Sequence, residues 1–157
     1  RNDMTTVRTI LEKKGTQVWS VTPSTSVFDT LQLLATKNVG AVLVLDGSTP
    51  VGIFSERDYV RQCTLQKESF WHTPVEKIMS APVVFVRPEQ TIEECMALMT
   101  EKRIRHLPVL ENNKIVGIIS IGDVLKEIIT EQELFIRDLQ NYIEGRGYGT
   151  SAVRATQ

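Results

Sequence analysis

The sequence has only two cysteines, Cys63 and Cys95, which excludes a disulfide framework and fits a reducing compartment. It has no surplus of either charge, since 18 Lys and Arg against 19 Asp and Glu leave a net charge of −1. Nucleic-acid proteins draw most of their affinity from clustered positive charge, so no nucleic-acid partner is expected. No apolar run approaches the roughly 18 residues that span a bilayer, so no membrane partner is expected either. No signal-peptide pattern stands at Arg1; the expected location is the cytoplasm, or an organelle matrix if a leader has been removed. Catalytic motifs are also missing: there is no Gly-x-x-x-x-Gly-Lys, His-Glu-x-x-His, Cys-x-x-Cys or Gly-x-Ser-x-Gly. The glycine-rich run at 145–149 follows a helix at the tail and lacks the strand-then-helix setting of a phosphate loop. Two histidines and two scattered cysteines do not make a metal site, and no nucleophile is paired with a base. The expectation is a binding protein, not an enzyme.

What the sequence does have is itself twice over. Residues 117–124 read Gly-Ile-Ile-Ser-Ile-Gly-Asp-Val, and 65 positions earlier residues 52–59 read Gly-Ile-Phe-Ser-Glu-Arg-Asp-Tyr. The same offset carries Pro23 to Pro88, Val27 to Ile92, Leu33 to Leu98, Val39 to Ile104 and Val44 to Val109. A constant offset with matched polarity marks an internal repeat. A unit of about 60 residues is marginal alone, so the halves are expected to share a core. The boundaries read as 5–68 and 74–130 for the repeats, 131–144 for a helical extension and 145–157 for a flexible tail.

Within each copy the order is helix, extended segment, helix, hairpin, helix. Residues 6–14 place Val7, Ile10 and Leu11 at helical spacing before Gly15. An extended segment at 18–23 leads to a helix at 26–37, then strands at 40–45 and 50–54, and Ser55 opens another helix. In the linker at 66–73, Phe70 and Trp71 are read as plugging the joint. A helical turn at 74–79 echoes the leading helix, and 83–86 is extended. Thr91 with Glu94 caps a helix, and strands at 107–110 and 115–119 turn at Asn112-Asn113. The last helix, from Ser120 to about 144, keeps Leu125, Ile128, Ile129, Leu134, Ile136, Leu139 and Ile143 on an apolar stripe, an overhang suited to a neighbouring subunit or its own module.

Two constellations could carry chemistry. Ser55 with Asp58, and Ser120 with Asp123, are capping boxes on the plainest reading. They also recur at the C-terminal ends of strands, where α/β folds bind ligands. There a helix start offers N–H groups to phosphate, and a carboxylate takes ribose hydroxyls. The second constellation, Arg103-Ile104-Arg105-His106, clusters cationic groups before a buried strand, whereas its counterpart from Asn38 to Ala41 has none. The halves share a framework but differ in a polar patch, which predicts unequal sites.

The repeated Gly-x-x-Ser-x-x-Asp after an apolar hairpin, with Arg-His-Leu-Pro-Val leading into the strand, resembles a tandem pair of CBS domains, a Bateman module, over about residues 5–130. It is similar to small stand-alone CBS-pair proteins. The resemblance implies an α/β fold of two tandem repeats, each a small sheet packed with two helices, related by a pseudo-twofold axis. It implies clefts that hold adenosine-containing ligands such as AMP, ADP, ATP, NAD(H) or S-adenosylmethionine. A homodimer is expected, acting on a regulated protein that the sequence leaves unnamed. By position, one cleft would use Thr22, Val39, Gly40, Arg105, His106, Ile118, Ser120 and Asp123. The other would use Ala41, Ile53, Ser55, Arg57, Asp58, Arg87, Ile104 and Arg105. AMP, ATP or NAD(H) is the expected ligand of a regulatory sensor. The alternatives are a ligand-free dimerisation scaffold and an enzyme acting on its bound nucleotide.

Overall fold

The computed structural model describes residues 4–144; the tail expected at 145–157 lies outside the described residues. The order is α1 (Val7–Lys14), β1 (Ser20–Val21), α2 (Val27–Lys37), β2 (Ala41–Asp46), β3 (Thr49–Ser55), α3 (Glu56–Gln66), a 3₁₀ turn (Val75–Lys77), α4 (Ile92–Lys102), β4 (His106–Glu111), β5 (Lys114–Ser120) and α5 (Ile121–Ile143). The sequence repeat is a structural repeat. Strands β2 and β3 form an antiparallel hairpin whose register slips between Val44 and Leu45; β4 and β5 slip between Val109 and Leu110. Strand β1 runs parallel to β2 with Val21 opposite Val44, and Val86 bridges to Val109 in the same sense. The extended segments are shorter than expected. Beyond them the backbone turns: the Thr22 N–H donates to Thr25 Oγ1, and that of Arg87 to Gln90 Oε1.

Polar residues set the element ends. Ser26 and Thr91 accept the N–H of the third residue of α2 and α4, as Ser55 and Ser120 do for α3 and α5. Asn38 and Arg103 end α2 and α4 in the left-handed region, both at φ 55°. Asn tolerates that conformation; a long side chain such as Arg is held in it at a cost of about 1–2 kcal/mol. The β4–β5 turn places both Asn112 and Asn113 at positive φ, as a tight hairpin turn requires.

Each half borrows part of its core from across the molecule. Val27, Leu34, Val42, Val44 and Phe54 pack with Val75 and Ile78 of the 3₁₀ turn, which precedes the second repeat. Ile92, Cys95, Met99, Leu107, Val109, Ile119 and Val124 pack with Val7, Ile10 and Leu11 of α1, which precedes the first. Backbone bonds fix the exchange: Val7 N–H to Gln90 O at 2.9 Å, and Val75 N–H to Thr25 O at 2.7 Å. The segment at 5–14 therefore precedes one repeat in the chain and completes the other in space. In the linker, Phe70 packs against the first core, while Trp71 tilts against Phe28 at 5.4 Å and donates Nε1 to the Tyr59 hydroxyl. Strand β2 is buried on both faces. Val42 and Val44 pack into the first core, and Ala41 and Leu43 are buried on the opposite face of the strand.

Because Ile10 sits in the second half's core, Ile10→Ala should cost about 2–5 kcal/mol in urea unfolding. Amide exchange should quicken in β4 and β5 before β2 and β3. A cost under about 1 kcal/mol would mean α1 only lies on the surface.

Candidate functional site

Strands β3 and β5 each end in a serine that starts a helix. The Asp58 N–H donates to Ser55 Oγ at 3.1 Å, and the Ser55 N–H returns to Asp58 Oδ2 at 3.2 Å. At the other joint the Asp123 N–H donates to Ser120 Oγ at 3.1 Å, and the Ser120 N–H to Asp123 Oδ2 at 2.8 Å. Each carboxylate is thus fixed by its own helix cap. Beyond the cap the joints differ. Asp58 Oδ1 accepts the Ser80 hydroxyl at 3.3 Å, whereas Asp123 Oδ2 also takes the Lys14 ammonium at 2.7 Å.

A cleft of about 510 Å³ opens at the Asp58 joint. Its walls include Ile53, Ser55, Arg57 and Asp58 from the first half and Ile104 and Arg105 from the second. Gly40 and His106, expected beside Asp123, line this cleft, although His106 also stands opposite Ser120 in the β4–β5 hairpin. The two meet there: a Cβ on Gly40 would stand 3.2 Å from His106 Nε2, a tight contact that the ring would have to shift slightly to admit. Ala41 and Arg87, expected in this cleft, are not among its walls. Ala41 is buried in β2 opposite Ser55, and the Arg87 N–H is held by Gln90 in the turn before α4. Of the residues assigned to the other cleft, Ile118 and Asp123 are joined through Lys14, which also donates to the Ile118 carbonyl at 3.1 Å. Ser120 caps α5 there, Val39 packs into the first half's core, and the Thr22 hydroxyl lies 2.9 Å from Thr25 Oγ1.

The sequence reading did not assign Glu56, Arg61, Ser80, Pro82, Val84, Lys102, Arg103 or Pro108 to these walls. Arg61 was accessible to it, lying one helical turn beyond Arg57 on α3. Five cations, Arg57, Arg61, Lys102, Arg103 and Arg105, line the cleft against two carboxylates, Glu56 and Asp58. Such a surface focuses a positive potential into a concavity.

Burial pushes His106 below its ordinary pKa, and the Lys14 cation adds to the shift; Asp123 and Asp58 pull the other way, and Arg105 again lowers it. Burial alone would raise Asp123, but hydrogen bonds from Lys14 and from the Ser120 backbone outweigh it and hold the carboxyl below its usual range. Cys95 is pushed up to about 11, mainly by burial, and is a packing residue rather than a nucleophile.

Duplicated halves, exchanged core segments and a charged cleft between them define a duplicated module built around a cationic cleft. Comparison with known proteins agrees: the CBS-domain profile matches residues 7–64 and again 75–130. The chain belongs to the CBS-domain family. It is 34% identical over 156 residues to the mitochondrial CBS domain-containing protein CBSX3 of Arabidopsis thaliana, covering 93% of this chain and 75% of that one. A solved structure of a protein with CBS domains from Burkholderia ambifaria MC40-6 is 50% identical with a TM-score of 0.77, covering 82% of this chain and 96% of that one. The structure of CBSX2 in complex with AMP is 25% identical with a TM-score of 0.63, covering 80% and 97%.

His106 ties folding to pH. Its folded-state pKa lies below the ordinary 6.5, so the unfolded chain binds more protons around and below that value. Stability should be complete above pH 6.5 and be lost as the pH falls through the folded pKa. The melting temperature should drop between pH 7.5 and 5.5, and His106→Gln should shrink that drop. An equal drop in the variant would remove His106 as its source.

Proposed function

We propose that this protein is a non-catalytic regulatory module that senses a phosphorylated adenosine ligand, AMP, ATP or NAD(H), in the Asp58 cleft. The observation that carries the reading is the five-cation wall beside an aspartate already oriented by its helix cap. Asp58 takes the ribose hydroxyls through Oδ1, the oxygen that the cap leaves to the Ser80 hydroxyl. The start of α3, with Ser55 and Arg57, receives phosphate, where the helix dipole and the Arg57 guanidinium favour an anion. Arg61, Arg103 and Arg105 spread that charge over further phosphates. Arg103 keeps a left-handed backbone at this wall, whereas the equivalent Asn38 has no charge to contribute. The AMP complex of a relative supports the adenosine reading. The Asp123 cleft, with Ser120 and Ile118, is the second and unequal site.

The module works as a homodimer through α5. Ile129, Ile136 and Ile143 recur every seven residues, as do Leu125, Gln132 and Leu139, and the five apolar members of this set are exposed. Isoleucine at one seam position and leucine at the other favours pairing of two helices, so the occupant is a second copy of the chain. Ligand binding alters the regulated protein only if it favours one arrangement of halves or subunits. Two free thiols suit a reducing location, the cytoplasm or an organelle matrix.

Asp58→Asn keeps an acceptor for the Ser55 N–H but removes the charge. It should weaken AMP binding by about 1.5–3 kcal/mol, the range for hydrogen bonds to a charged group, with little change in melting temperature. Arg105→Ala should weaken ATP more than adenosine. Equal losses for both ligands would contradict the phosphate assignment, and unaltered AMP binding in Asp58→Asn would leave that residue as a cap only.

A further inference from the structure

The two joints differ in what touches the aspartate beyond its cap. At the Asp58 joint it is the neutral Ser80 hydroxyl at 3.3 Å. At the Asp123 joint it is the ammonium of Lys14, the last residue of α1, at 2.7 Å, with a second bond to the Ile118 carbonyl at 3.1 Å. Lys14 therefore spans two groups assigned above to adenosine in the second cleft. We infer that Lys14 is the specificity-determining residue between the clefts: its ammonium competes with the ligand for Asp123, holding that cleft at low affinity and leaving the Asp58 cleft as the tight site.

The inference rests on the nucleotide reading and follows from three observations. A bond between two charged groups is shorter and about twice as strong as one between neutral groups, so a neutral ribose hydroxyl is a poor substitute for the ammonium. The pair is partly shielded from water, at 36% exposure for the Lys14 side chain and 19% for Asp123. Lys14 is also held in reach, because α1 is fastened along α5 by polar contacts on successive turns. Lys13 binds Glu127 at 3.0 and 3.1 Å, and Thr5 binds Glu131 one turn further on. The exchanged core of Val7, Ile10 and Leu11 seats the same helix. A ligand that enters the Asp123 cleft must displace an ammonium whose helix does not move away with it.

Calorimetric titration with AMP and with adenosine tests this in an Asp58→Asn background, which weakens the other cleft. Lys14→Ala should tighten both ligands about tenfold there, while Lys14→Arg, which keeps a cation, should leave them weak. Should Lys14→Ala melt early, Lys14→Gln removes the same charge and carries the same expectation. Unchanged affinity with Lys14→Ala overturns the inference. So does weaker AMP binding, which would make Lys14 a phosphate contact rather than a competitor. Both outcomes leave the nucleotide reading intact, provided wild-type protein binds AMP. No binding of AMP or ATP by wild type or any variant overturns that reading, and the role of Lys14 with it.

Discussion

Everything at the candidate sites depends on one constraint: a carboxylate three residues into a helix must close its cap before it can do anything else. Asp58 and Asp123 each accept the backbone N–H of the serine that starts their helix, and each serine accepts the aspartate's own N–H. This reciprocal pair fixes the end of the strand, the direction of the helix and the position of the charge together. The site's rigidity is thus a by-product of ordinary helix capping. Function then rests on the groups added around the cap. Ser80 and a cationic wall surround Asp58, while Lys14 sits on Asp123.

Duplication supplied two equivalent joints, and a few substitutions made them unequal. Asn38 and Arg103 occupy the same helix-end position with the same backbone, yet only the arginine brings charge to the cleft. Gly40 and Arg105 are equivalent by the repeat, and the glycine makes room for the His106 ring. The exchange of α1 and the 3₁₀ turn between the two cores ties the halves together, so each joint rests on a core that holds a segment from the other side of the molecule. Interiors packed at crystal-like density transmit displacement rather than absorb it.

Much of this was legible in the sequence. The constant offset of 65 identified the duplication, and with it the hairpins, the four polar caps and the paired serine–aspartate joints. Helical periodicity showed which face of 6–14 is apolar but not which half it packs on. A pattern along the chain contains no partner, so the swap of Val7, Ile10 and Leu11 into the second core was out of reach. A repeat tells which residues are equivalent, not how the halves bring them together, so the presence of Gly40 and His106 on the wall of the Asp58 cleft was not legible. Ala41 was assigned by position from the family resemblance, but it lies in the stretch of β2 that is buried on both faces. Lys14 gave no signal, because a lysine near the end of a helix is an ordinary helix-dipole partner.

The central claim is that an anionic adenosine ligand is held by a cationic cleft. The most direct test is the thermal unfolding of ligand-stripped protein with AMP, ATP, NAD⁺, NADH and S-adenosylmethionine. At about 100 times its dissociation constant a ligand adds roughly 2.7 kcal/mol, which for a chain of this size raises the melting temperature by roughly 5–11 °C. The account predicts such a rise with one or more of the phosphorylated ligands, and a smaller one with S-adenosylmethionine, whose sulfonium would face Arg57, Arg103 and Arg105. A folded protein that none of the phosphorylated ligands stabilises would contradict the claim and leave a dimerisation scaffold in its place.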